Sequence, residues 1–169
     1  NRYGAVPERL MTAWDYLLKS VYGSFTDHPR FNWQFRPGSV KNGSINMNVD
    51  YFRGLEAFIS ASDELKDSPY YLTDLCEMTA HYLGGKAELL TKLIDQEYLL
   101  GDTLQARFLQ SRFETLMLGM DRILSQHPTL RLDRWLSFAS KSARTDAQRI
   151  QYETNARRIV TIWGPPVDD

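Results

Sequence analysis

Residues 145–165 read TDAQRIQYETNARRIVTIWGP, and nearly every position in this stretch has a helical reason to be there. Thr145 and Gln148 stand at capping-box spacing, in which each side chain satisfies a backbone donor left open at a helix start. Tyr152, Ala156, Ile159, Val160 and Trp163 then recur at the 3.6-residue period as one apolar stripe. Gly164 suits the left-handed conformation that ends a helix, and Pro165 and Pro166 prevent the helix from resuming. The spacing therefore predicts a rigid helix that carries a large indole to its tip.

Working outward, the same period recurs along the chain. Thr103 to Gln126 gives the clearest stripe, with Leu109, Phe113, Leu116, Met117, Met120, Ile123 and Leu124, and His127-Pro128 ends it. A shorter helix over about 130–141 carries Leu132, Trp135, Leu136 and Ala139. Ser68 as cap and Pro69 at the first helical position open a long helix. Its stripe runs through Leu72, Leu75, Cys76, Thr79, Tyr82, Leu83, Leu89 or Leu90, and Leu93, and fades near Glu97. Gly84-Gly85 falls in its middle, each glycine costing about 1 kcal/mol against alanine, so a kink or a close helix contact is expected there. Val49 to Ala61 predicts a helix with Phe52, Leu55, Phe58 and Ile59 inward, and Pro7 opens a first helix through Leu10, Ala13, Trp14, Leu17, Leu18 and Val21 to Gly23.

Between Ser24 and Met47 the period disappears. Turn formers such as Asp27, Pro29, Pro37 and Gly43 mix with Phe25, Phe31, Trp33 and Phe35. Loops this long are uncommon in compact domains, and the aromatics favour a packed loop over a disordered one. No strand pattern is present. The expected fold is all-α: a bundle of five or six mostly antiparallel helices with one long aromatic-containing loop at about 24–47.

Composition narrows the function. A chain of 169 residues suits a single helical domain over 1–169. A formal net charge of -1 without runs of like charge argues against nucleic-acid binding, which needs a concentrated basic face. No apolar run approaches the ~20 residues of a membrane span. Cys76 is the sole cysteine, so neither an internal disulfide nor a thiolate-rich zinc site can form. The chain opens on Asn1-Arg2-Tyr3-Gly4 and closes on Pro165-Pro166-Val167-Asp168-Asp169, which reads as a domain excised from a longer protein.

Few constellations carry chemistry. Asp74, Glu77 and His81 share a helical face, the arrangement of a bundle metal site, but Glu114 and Asp121 on the next long helix come without the matching histidine. A solvated polar face is the better reading, and no metal or cofactor is expected. Glu56, Glu88 and Glu114 lie in amphipathic helices with nothing to pair them as the two converging carboxylates of a glycosidase. Glu153 and Arg157 make a helix-stabilising i, i+4 pair. Asn42-Gly43-Ser44 matches the N-glycosylation pattern, which arises often by chance.

Tyr152-Glu153, Asn155, Arg157, Thr161 and Trp163-Gly164-Pro165, in that spacing, resemble the C-terminal helical domain of the α-N-acetylglucosaminidase family of glycoside hydrolases. Arg2-Tyr3-Gly4 resembles the family's lead-in to that domain. Ala13-Trp14, Leu17-Leu18 and Ser20-Val21-Tyr22 resemble its first helix, Arg36-Pro37 falls within the loop, and Tyr71-Leu72 with Asp74-Leu75 resembles the opening of its long helix. The resemblance implies a multidomain exo-acting enzyme that removes terminal α-linked N-acetylglucosamine with retention of configuration. It places the catalytic glutamates in a preceding (β/α)₈-like barrel, so no catalytic residue is expected in this chain and the fragment alone should be inert. Trp163 is the residue it carries over, as a wall of the sugar pocket that presents an apolar face to the pyranose. The family's further pocket residues come after the motif, beyond Asp169. The implied partners are the barrel of the same polypeptide and a glycan's terminal N-acetylglucosamine, with no nucleic acid. The implied location is extracytoplasmic: a bacterial periplasm, surface or medium, or an animal lysosome. The alternative reading of the residues is a free-standing helical module that binds a protein through the Ser24–Met47 loop.

Overall fold

The computed structural model describes residues 2–20 and 49–161, the last of them by its backbone alone. All regular structure in them is helical: α1 (Glu8–Leu18), α2 (Val49–Ser60), α3 (Ser62–Leu65), α4 (Pro69–Leu100), α5 (Thr103–Ser125), α6 (Leu132–Lys141) and α7 (Asp146–Thr161). The all-α expectation holds. The count among the described residues exceeds six because of α3, a single turn too short to leave a periodic signal. The chain divides into two units, 1–124 and 125–169.

In the first unit α1 packs along α2, and α2 against α3 and α4. Leu10, Ala13 and Leu17 bury one face of α1, as their spacing predicts, whereas Leu18 is exposed. On α2 the buried side is Tyr51, Gly54, Leu55 and Phe58; Phe52 and Ile59, expected inside, are exposed. The inward face is rotated toward Gly54 because that glycine is where the helices meet. A Cβ there would stand 3.0 Å from Leu17 Cγ and 3.2 Å from the Ala13 carbonyl oxygen. An apolar-residue stripe does not register a contact made by the absence of a side chain.

Phe58 organises the core. Its ring stacks on Tyr71 at 4.8 Å and takes the edges of Tyr3 and Trp14 at 6.0 and 6.4 Å. The Tyr71 hydroxyl donates to the Phe58 carbonyl at 2.6 Å, and the Tyr51 hydroxyl donates to the Met78 carbonyl at 2.8 Å. Both buried phenols thus keep a partner, as buried polar groups must. Burial pushes the Tyr71 phenol up to about 12.

Long α4 starts as its sequence predicts, with Ser68 at the cap position and Pro69 at the first turn. Its inward residues are Tyr71 and Met78, flanked by half-buried Leu75 and Tyr82, so the face again lies one position from the expected stripe; Leu72 is exposed. The helix runs unbroken through Gly84-Gly85, and a Cβ at Gly84 would meet nothing within 4 Å, so no close helix contact explains that residue. Gly101 closes α4 in the left-handed conformation at φ +80.

The second unit is a helical pair in which α6 packs on α7. Arg144 and Thr145 precede α7. The Gln148 backbone N–H donates to the Thr145 hydroxyl oxygen at 3.2 Å, and the Gln148 side-chain oxygen accepts from the Arg144 N–H at 2.9 Å. The capping box therefore forms, with its return bond moved one residue upstream.

Candidate functional site

Helix α7 leads toward the residue assigned to the sugar pocket. Its middle is held firmly: Ala156 is buried, and the Trp135 indole N–H donates to the Ala156 carbonyl at 3.3 Å. The Ser140 hydroxyl donates to the Glu153 carboxylate, which also lies 3.7 Å from Arg149. Glu153 is thus used to attach α6 to α7. Toward the helix end the burial stops. Ile159 and Val160, expected on the inward stripe, are each 55% exposed. The stripe continues in the sequence, and at Ile159 and Val160 the other described residues leave more than half of it exposed. Trp163 lies outside the described residues, as do the Ser24–Met47 loop and the Asn42-Gly43-Ser44 triplet.

The lead-in residues Arg2 and Tyr3 have a clear structural use. Arg2 forks onto Asp74 through two bonds of 2.8 Å, and the Tyr3 hydroxyl donates to the same carboxylate at 2.7 Å. Bidentate pairing of this kind fixes geometry as well as energy. The clamp joins the first described residues to the start of α4, and burial together with the Asp74 contact raises the Tyr3 phenol. Asp74 is therefore committed to this clamp. His81, further along its face, sets its ring 5.2 Å from Tyr51, an aromatic contact instead of a ligand geometry. No cluster of metal-ligating side chains occurs among the described residues.

Beside the clamp lies an open groove of about 440 Å³, lined in part by Arg2, Tyr3, Glu64, Asp67, Ser68 and Tyr70. Arg2 stands over the Tyr70 ring at 5.2 Å, so its positive charge is already engaged on two sides.

One chemically unusual group escaped the sequence. Glu88 is buried on α4, neither carboxylate oxygen accepts a hydrogen bond, and burial pushes its carboxyl up to about 7. A carboxylic acid held near neutral pH resembles a glycosidase general acid. It does not line the groove, however, and glycosidase chemistry needs a second carboxylate across a cleft. Before it in sequence, Gly84, Gly85 and Ala87 are too small to mark a buried face by hydrophobicity, and the half-buried Leu89 and Leu90 follow it. Among the described residues no helix is long and apolar enough to cross a membrane.

The comparisons with known proteins agree with this accessory character. A family model described as the alpha-N-acetylglucosaminidase (NAGLU) C-terminal domain matches residues 1–169. The Homo sapiens protein named alpha-N-acetylglucosaminidase is 29% identical over 173 aligned positions, covering 98% of this chain and 23% of that protein. Among solved structures, a family 89 glycoside hydrolase from Clostridium perfringens, bound to 2-acetamido-1,2-dideoxynojirmycin, is 25% identical with a TM-score of 0.82. The match covers 96% of this chain and 20% of that one. A second structure of a Clostridium perfringens family 89 hydrolase, bound to PUGNAc, gives the same identity, coverage and TM-score. The chain spans about a fifth of the length of these relatives. It belongs to the family of α-N-acetylglucosaminidase C-terminal domains.

Proposed function

We propose that residues 1–169 form the C-terminal accessory domain of a longer retaining exo-glycosidase that removes terminal α-linked N-acetylglucosamine from glycans. The domain packs beside a catalytic barrel in the same polypeptide, which supplies both catalytic carboxylates. Its own contribution is Trp163, which walls the pocket and limits it to a chain end. Apolar ring faces suit the C–H side of a pyranose, and concave sites combine such walls with a few polar anchors. The enzyme works outside the cytoplasm.

The observation that carries this reading is the exposed end of the α7 stripe. The helix is capped at one end and pinned at Ala156, and it then presents bare Ile159 and Val160 three residues before the tryptophan. Exposed apolar residues at this place suit a contact with polypeptide outside the described residues. The family match over residues 1–169 and the name of the human relative support it. The test is to express the full gene and, separately, residues 1–169. Hydrolysis of an α-N-acetylglucosaminide by the full protein and none by the fragment is expected. Activity in the fragment, or none in a folded full-length protein, would contradict the proposal.

A further inference from the structure

We infer that Glu153 is a positioning residue for the glycosidase reaction: by joining α7 to α6 it sets the direction in which α7 leads to Trp163, a role that rests on the reading of Trp163 as a wall of the sugar pocket.

The pair α6–α7 has little apolar burial with which to fix its own register. Ala156 is the one buried side chain among the described residues of 125–160, and a single methyl group offers little area. Apolar burial is also non-directional, so such a contact lets one helix slide or roll on the other at small cost. Hydrogen bonds resist that motion, because they weaken steeply with distance and angle.

The Trp135 indole N–H donates to the Ala156 carbonyl, and the Ser140 hydroxyl donates to the Glu153 carboxylate. The two donors stand more than one turn apart on α6, so the two bonds together oppose both sliding and rolling. They are unequal. At 3.3 Å the indole bond is long and has a neutral acceptor, whereas a bond to a carboxylate is roughly twice as strong as a neutral one. The tie through Glu153 is therefore the one that decides the angle of α7. Arg149, 3.7 Å from the same carboxylate, is half exposed and adds little.

Removing the carboxylate leaves its partners with other contacts. The Ser140 hydroxyl also lies 3.1 Å from the Leu136 carbonyl, and Arg149 lies 3.6 Å from Asp146. Glu153→Ala thus strands no buried donor, and what it removes is direction. From Glu153 the helix runs on to Thr161, a lever of about 12 Å at roughly 1.5 Å per residue. A tilt of about 5° moves the end of that lever by about 1 Å, and a misplacement of this size is enough to cost up to about a hundredfold in rate.

The test measures kcat/KM for an α-N-acetylglucosaminide in the full-length protein carrying Glu153→Ala, Glu153→Gln, Trp163→Ala, or Glu153→Ala with Trp163→Ala. At a temperature where thermal unfolding shows the protein folded, Glu153→Ala should lower kcat/KM about threefold or more. Glu153→Gln, whose amide oxygen still accepts from Ser140, should restore most of that loss. In the Trp163→Ala background Glu153→Ala should add less than about twofold, since it acts through the indole already removed. Ser140→Ala deletes the same bond from the α6 side, and the same loss and the same non-additivity are expected of it should Glu153→Ala fold poorly. A parental kcat/KM for Glu153→Ala, a glutamine variant as impaired as the alanine one, or a loss that adds in full to that of Trp163→Ala would overturn the inference. If Trp163→Ala is itself impaired in those cases, the functional reading stands. Trp163→Ala at the parental value would overturn that reading and the role of Glu153 with it.

Discussion

The core around Phe58 and the pair α6–α7 are both built from helices with apolar stripes, yet they handle those stripes differently. In the first, Leu10, Leu17, Phe58 and Tyr71 are almost fully removed from water, and the buried phenols bond to main-chain carbonyls. In the second, Ala156 is the one buried side chain among the described residues of 125–160, while Trp135, Phe138, Ile150, Ile159 and Val160 remain exposed. The first region is complete within this chain. The second carries apolar surface that the other described residues leave exposed, and it is the region that leads toward Trp163.

Substitutions sharpen this contrast, beginning with the largest expected effect. Phe58→Ala should cost about 3–5 kcal/mol in urea unfolding of the helical domain, because it removes the ring on which Tyr3, Trp14 and Tyr71 all rest. A loss below about 1 kcal/mol would break the claim that this core is self-sufficient. Gly54→Ala should cost up to about 2 kcal/mol by the same measurement, since the added methyl meets Leu17 and the Ala13 carbonyl at an overpacking cost of about 1–3 kcal/mol, offset in part by a helix-propensity gain of about 1 kcal/mol. A stabilised variant would mean that α1 and α2 separate easily.

Glu88 gives a smaller effect with a definite sign. Its carboxyl is raised from an ordinary 4.5 to about 7 in the folded state, so between these values the folded protein holds a proton that the unfolded chain has lost. Stability is therefore unaffected by this group below about pH 4.5, falls as pH rises toward 7, and then levels off. Glu88→Gln should flatten that fall and be the more stable of the two near pH 8, because the amide stays neutral where the buried carboxyl must ionise without a partner. Parallel stability profiles for the two proteins across this range would show that the carboxylate finds a partner after all.

Much of the fold was legible because helix punctuation is local chemistry. Ser68-Pro69 and Thr145 with Gln148 each lie within a few residues of a helix start, and the helices begin beside them. The buried faces were less legible. On α2 and α4 the true inward residues are shifted by a position, toward Gly54 and Tyr71, since contact depends on the partner helix as well as on hydrophobicity. Glu88 was invisible for a related reason: helix packing buries it, and nothing in its own spacing announces that. The Arg2–Tyr3–Asp74 clamp joins residues more than seventy positions apart, a separation that no helical period reports. For the pocket, the Trp163 assignment comes from the resemblance of its motif, and Trp163 lies outside the described residues.

The most direct test of that assignment is kinetic. In the full-length protein, Trp163→Ala should lower kcat/KM for an α-N-acetylglucosaminide at least about tenfold, a loss of roughly 1.4 kcal/mol of transition-state binding. Thermal unfolding should be unchanged. An unaltered kcat/KM in a folded variant would contradict the account by removing Trp163 from the site.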